Sequence, residues 1–241
     1  MYTRPRLDLD PYSALSQVDP HGMLGDLNDR RVLCLCSGGG KQSAAFALLG
    51  ADVTVVDLSP DQLGRDRYAA EHYGVKIKTI EGDMRDLSIL SADSFDLVEH
   101  AYSINFVPDC LEVFGQVKRV LRDSGLYRLM IANPFGMPVG YKDWNGEGYL
   151  VREPYIDGAK VTYDDQEWVY HRRPGSEVPR PVEYRHNLST VINGLADRGF
   201  RILHFSDSQD MHPDASGGPG TWDHYVAFMP PWFTFLTRLE Y

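Results

Sequence analysis

Residues 32–40 read Val-Leu-Cys-Leu-Cys-Ser-Gly-Gly-Gly, an apolar run that passes directly into three glycines, and a helix-compatible stretch, Lys41 to Leu49, follows. Beyond Gly40 a second apolar run, Val53 to Val56, ends in Asp57. A glycine turn between strand and helix lets the backbone approach a ligand with no side chain in the way. An acid at the end of the neighbouring strand can accept both hydroxyls of a ribose. Together these residues describe a site for an adenosine-containing cofactor.

Outward from that turn, strands and helices alternate. A strand over Arg31–Cys36 leads to a helix over Lys41–Leu49 stopped by Gly50, and a strand over Val53–Asp57 leads to a helix opened by Ser59-Pro60-Asp61-Gln62 and closed by Gly74. Strands follow over Val75–Ile80 and Phe95–His100. Cys110, Val113, Phe114, Val117, Val120 and Leu121 recur at helical spacing, which places one face of a helix over Asp109–Arg122 on the sheet. A strand over Gly125–Ile131 comes next. Such alternation implies right-handed crossovers and a parallel sheet that binds ligands at the carboxyl ends of its strands.

Residues 134–185 break the rhythm. Prolines and aromatics crowd this stretch, Trp144 and Trp168 among them, with charges between and no sustained period. A segment of that length inside a compact domain reads as a substrate-covering cap. Leu188, Val191, Ile192 and Leu195 then mark a further helix with Gly199 at its C-terminal cap. A strand over Phe200–Ser206 follows, then a glycine-rich stretch at 216–220 that continues as a loop through Trp222–Tyr225, and an alternating final run, Trp232–Leu239.

The 241 residues fit one domain, and the net charge of −10, from 34 acidic and 24 basic residues, argues against a nucleic-acid partner, whose binding rests on clustered Lys and Arg. A small molecule is the expected partner. The absence of an apolar leader and of a membrane-length apolar run points to a soluble, cytoplasmic protein with no membrane partner. Cys34, Cys36 and Cys110 form neither a disulfide framework nor a metal site, so no metal is expected. Cys34 and Cys36, two apart on a strand, are expected to face the same way as small buried hydrophobes.

The dinucleotide pattern G-x-G-x-x-G does not fit, because Gly38, Gly39 and Gly40 are consecutive and Gln42 and Ser43 stand where a later glycine should fall. The chain instead resembles class I S-adenosylmethionine-dependent methyltransferases, whose first motif is written V-L-D-L-G-C-G-T-G. Cys34 replaces its Asp and Cys36 its first Gly. The resemblance continues through Asp57, Glu81-Gly82-Asp83-Met84, Phe95-Asp96-Leu97-Val98, Asn105-Phe106-Val107-Pro108-Asp109 and Leu121-Arg122-Asp123-Ser124-Gly125. It covers residues 30–132 closely and 186–239 more loosely.

What the resemblance implies is an α/β, Rossmann-like seven-stranded methyltransferase sheet, mostly parallel, with an antiparallel last strand inserted between the fifth and sixth and a cap inserted after strand 5. The single domain would divide into an N-terminal segment (1–29), a cofactor-binding core (30–133), the cap (134–185) and the C-terminal part of the sheet (186–241). The implied activity is methyl transfer from S-adenosyl-L-methionine, with S-adenosyl-L-homocysteine as product, to an O, N or C atom of a small molecule. The competing readings are a nicotinamide-dependent oxidoreductase and a non-catalytic S-adenosylmethionine-binding protein.

On the same resemblance, cofactor contacts are expected from Ser37, Gly38, Gly39, Gly40, Asp57, Leu58, Asp83, Met84, His100 and Ala101. Asp57 would hold the ribose, Asp83 and Met84 the adenine, and Gly38 and Gly40 would let the methionyl part approach. The acid usually found at the place of Cys34 helps to position that end of the cofactor. His100 and His224 are the candidate bases, although His100 reads better as a cofactor contact or a structural histidine than as a base. Tyr102, Asn105, Asn133, Trp144, Trp168 and Trp222 are candidate substrate contacts. Asn105 and Asn133 equally suit the termination of backbone elements, and the tryptophans equally suit a core of the cap. His186 is expected to cap or pack.

Overall fold

A computed structural model describes residues 5–37, 39–137, 139–162, 182–207 and 212–240. In chain order the elements are α1 (Pro11–Val18), β1 (Arg31–Leu35), α2 (Gln42–Leu48), β2 (Asp52–Asp57), α3 (Pro60–Tyr73), β3 (Ile77–Glu81), β4 (Phe95–Ala101), α4 (Cys110–Val120) and β5 (Leu121–Ala132). Then follow β6 (Lys160–Thr162), β7 (Val182–Tyr184), α5 (Leu188–Ala196), β8 (Phe200–Ser206), α6 (Trp222–Phe228) and β9 (Trp232–Leu239). Seven strands form one sheet in the order β3-β2-β1-β4-β5-β9-β8, and β9 runs antiparallel to both neighbours. This is the Rossmann-like methyltransferase sheet, with its last strand inserted between the fifth and sixth.

Strand alternation sorts the apolar side chains onto two faces. Val32, Cys34, Val53, Val55 and Leu97 pack with Ala14 and Val18 of α1, Phe46 of α2 and Leu63 of α3. Leu33, Leu35, Val98, Tyr127, Leu129 and Phe235 pack on the other face with Val113, Phe114 and Val117 of α4 and Val191 and Leu195 of α5. Both faces of the parallel region are therefore buried, which explains its nearly unbroken apolar runs.

Local chemistry sets the boundaries. The Ser59 side chain accepts from Gln62 N–H, Pro60 opens α3, and Gly74 ends it in the left-handed conformation (φ 65°). That exit carries Val75 N–H back to Ala70 O, so β3 begins at Ile77 rather than Val75. The β4–β5 ladder pairs Phe95 with Leu121 and then Leu97 with Leu126. Residues between Leu121 and Leu126 therefore bulge from the ladder around Ser124 (φ 61°), and β5 starts earlier than its glycine suggests.

Two expectations require correction. Cys36 lies beyond β1 with a positive φ of 46° and packs toward the cluster of Leu33 and Leu35, on the face opposite Cys34. The strand period ends one residue before it. Trp222–Tyr225 is the start of helix α6, whose N-cap Thr221 accepts from His224 N–H, and not a loop.

The α5–β8 turn depends on Gly199, whose φ is +86° and where an added Cβ would stand 2.7 Å from Glu240 O. Gly199→Ala should destabilise the protein by about 1–3 kcal/mol. That corresponds to a fall of roughly 4–8 °C in Tm for about 2 kcal/mol in a domain of this size, measurable by calorimetry.

Candidate functional site

The carboxyl ends of β1, β2, β3 and β4 converge on the glycine turn. Gly39 and Gly40 adopt φ values of 104° and 74°. Their amides do not point to open space. Gly40 N–H donates to Asp66 Oδ1 at 2.9 Å, Gly39 N–H approaches Asp66 Oδ2 at 3.4 Å, and Ser43 Oγ–H donates to Asp66 Oδ1 at 2.5 Å. Asp66 is buried in α3, and burial raises its pKa against the lowering effect of these donors.

Gly40 is required for a reason other than the expected one. A Cβ there would lie 2.8 Å from Ala69 Cβ and 2.9 Å from Arg65 O, so the missing side chain lets the turn pack on α3 and does not open a path for a ligand. Gly38 lies outside the described residues. Ser37, half-buried, reaches the Cys34 thiol.

Asp57 ends β2, is buried, and accepts from Ser59 N–H at 2.8 Å through Oδ1. Leu58 beside it is 58% exposed, an apolar side chain held out to solvent at the mouth. Asp83 follows β3, and the Arg85 guanidinium grips both its oxygens at 2.5–3.0 Å, holding its pKa below the ordinary value. A carboxylate offers about four acceptor positions, so this fork leaves room for a further donor. Met84 is buried in the core beneath it. The Cys36 thiol lies among Asp57, Asp83 and the amides of Leu58 and Met84; burial, with those carboxylates, pushes its pKa up.

His100 lies on the Val98 and Tyr127 side of β4, the face that also holds Cys36 and Met84. It is fully buried, its Nδ1 lies 2.9 Å from Tyr127 Oη, its Nε2 has no partner, and desolvation lowers its pKa to about 3. Of the roles expected for it, the structural one suits this placement, with the neutral imidazole held against Tyr127. Ala101 closes β4 above it, half-buried.

The candidate substrate contacts divide into two groups. Tyr102 (φ 67°) donates its hydroxyl to Glu183 Oε2 at 2.9 Å, tying the end of β4 to β7. Asn105 accepts from Ala132 N–H at 2.9 Å and donates to Tyr184 O at 3.3 Å, while Asn133 accepts from Phe135 N–H at 3.0 Å and donates to Pro230 O at 2.8 Å. Both asparagines thus terminate backbone elements. His186 bonds Ile104 O at 3.1 Å, packing as expected. The fully buried Arg185 donates to Met137 O and Pro154 O, clamping the first part of the cap to β7.

The second group is an aromatic cluster. The rings of Trp144, Tyr149 and Phe228 surround His224, whose Nδ1 lies 2.8 Å from Tyr149 Oη. Trp222, 40% exposed, contacts Tyr141, Tyr225 and Trp232. Trp168 lies outside the described residues. Asp66 and Tyr149 were not anticipated. Asp66 had a signal: it sits three residues from Leu63 and three from Ala69 on the buried face of α3, where a carboxylate needs a partner. Tyr149 had none, since its partner lies far along the chain.

The donor set fits S-adenosylmethionine: an acid at the end of β2, an exposed apolar side chain next to it, a second acid after β3, and buried negative charge beneath the turn. Comparisons with known proteins agree. The methyltransferase domain family matches residues 32–125. The uncharacterized methyltransferase YbaJ of Bacillus subtilis is 34% identical over 180 residues, 74% of this chain and 69% of the relative. A ubiquinone biosynthesis O-methyltransferase of Actinobacillus pleuropneumoniae is 31% identical over 46% of this chain and 47% of its own length. An S-adenosylmethionine-dependent methyltransferase structure from Mesorhizobium loti superposes with a TM-score of 0.70 at 22% identity, over 97% of this chain and 100% of that one. The chain belongs to the methyltransferases and has the class I sheet. No described helix is long and apolar enough to cross a membrane.

The burial of His100 has a pH signature. Unfolded, its imidazole titrates near 6.5, and folded near about 3. Between those values the unfolded state binds more protons, so stability falls as pH falls, by up to about 1.4 kcal/mol per pH unit. His186, also lowered by burial, acts in the same direction, whereas Asp66 and Glu99, raised by burial, oppose it. The stability of the protein relative to a His100→Gln variant should therefore decline from pH 6.5 toward pH 3 in denaturant titrations. A difference that stays constant across that range would mean that His100 is not held neutral.

Proposed function

We propose that this chain transfers the methyl group of S-adenosylmethionine to an O, N or C atom of a small molecule enclosed under its cap. The observation that carries the reading against a nicotinamide enzyme is the Asp66 carboxylate on Gly39, Gly40 and Ser43. A dinucleotide needs those amides for its pyrophosphate. Here they are taken by an anion, which repels phosphate and favours a cationic sulfonium.

In this reading Asp57 accepts the ribose hydroxyls, Leu58 covers the adenine, and Asp83, steadied by Arg85, accepts from its amino group. The cofactor supplies an electrophilic methyl carbon. The acceptor's lone pair forms the new bond, the old carbon–sulfur pair stays on sulfur, and any proton on the acceptor must leave. His224, with Nδ1 engaged by Tyr149, has Nε2 as the nitrogen to take that proton. Trp144, Trp222 and the neighbouring rings supply an apolar wall that excludes water. The net charge of −10 and the similarity to ubiquinone biosynthesis O-methyltransferases support a small-molecule acceptor over a nucleic acid.

Asp57→Ala should weaken S-adenosylhomocysteine binding roughly ten- to hundredfold in calorimetric titrations, the effect of about 1.5–3 kcal/mol of charge-assisted hydrogen bonding. Unchanged titrations would remove Asp57 from the ribose. His224→Ala should keep that affinity within about threefold, because His224 on α6 is not among the proposed cofactor contacts. It should lower labelled-methyl transfer to a proton-bearing acceptor by about a hundredfold or more; transfer at the parent rate would place the base elsewhere.

A further inference from the structure

One pair of opposite charges beneath the glycine turn has no part in the chemistry above. Glu99 on β4 is the register partner of Cys34 on β1 and of Arg128 on β5, so the three side chains form a row across one face of the sheet. Arg128 Nη1 lies 3.1 and 3.2 Å from the two Glu99 oxygens. Glu99 is 3% exposed and the Arg128 side chain 14%. Val55, on one side of this row, and Leu236, on the other, are apolar.

A buried ion pair adds little to stability compared with apolar groups of the same size, so packing alone does not account for charges at this place. The row reaches the site. The Cys34 thiol meets Ser37 of the turn and feels the fields of both Glu99 and Asp66. Two buried carboxylates, Glu99 and Asp66, thus act together on the Cys34 thiol beneath the turn. The amino-acid end of S-adenosylmethionine brings an ammonium, and β1 presents only a thiol, Cys34, at this level.

We propose that Glu99 receives the α-ammonium of the cofactor, with Arg128 keeping that carboxylate ionised and aimed. Strand β4, through Glu99, then supplies the anchoring acid that β1 lacks. The inference rests on the S-adenosylmethionine reading of the site and adds a binding residue outside the glycine turn.

The test compares S-adenosylhomocysteine with 5′-methylthioadenosine, which shares the adenosine thioether and lacks the amino-acid end. Calorimetric titrations would use the parent protein, Glu99→Gln, the double variant Glu99→Leu/Arg128→Met and Asp57→Ala. Glu99→Gln should lose at least tenfold in affinity for S-adenosylhomocysteine and stay within twofold for methylthioadenosine. The double variant leaves no orphaned charge and should show the same selective loss, which keeps the test decisive if Glu99→Gln does not fold. Asp57→Ala should weaken both ligands. Equal losses for both ligands, or no loss, in the Glu99 variants would overturn the ammonium contact while leaving the Asp57 assignment intact. A parent protein that binds neither ligand would overturn the cofactor reading and this contact with it.

Discussion

The buried carboxylate of Asp66 holds the site in shape. Through Gly39, Gly40 and Ser43 it fastens α3 to the turn between β1 and α2, and the ends of β1 and β2 follow from that attachment. Desolvation works against a charge at 1% exposure, and three donors offset part of it. The turn can approach only because Gly40 has no Cβ, since Ala69 and Arg65 fill the space that one would need. The same bonds engage the turn's amides with an internal anion, which supports the proposed sulfonium ligand over a phosphate.

Negative charge is distributed around this point with purpose. Asp57 and Asp83 stand at the mouth, while Asp66 and Glu99 lie below the turn, with Arg85 and Arg128 each against one of the four. A low-dielectric interior strengthens such fields, so a sulfonium cofactor meets an attraction that a dinucleotide would not. Cys36, at the position where a glycine is usual, keeps a left-handed backbone (φ 46°), which costs a non-glycine residue about 1–3 kcal/mol. Turn geometry therefore persists here without the residue that makes it inexpensive, and Cys36 N–H bonded to Val56 O helps to hold it.

Among the described residues, the segment after β5 is joined to the sheet by polar contacts and lies beside α6 through aromatic ones. Tyr102, Asn105, Asn133 and Arg185 fix the backbone where the cap leaves and rejoins β4 and β5. Trp144, Tyr149, His224 and Phe228 pack against one another farther out.

Local and periodic information carried much of the sheet and the cofactor side. The glycine run, Asp57, the Ser59-Pro60 cap and the α4 stripe depend on neighbours within a few residues, so spacing alone revealed them. The antiparallel place of β9 came from resemblance rather than from pattern, because alternation does not specify a strand's neighbour. Three things were decided only by tertiary contact: the engagement of Gly39 and Gly40 by Asp66, the burial of His100 against Tyr127, and the pairing of Glu99 with Arg128 across two strands. Each joins residues more than twenty positions apart. A polar side chain's role follows from the partner that folding brings to it, and a linear pattern records the side chain but not that partner.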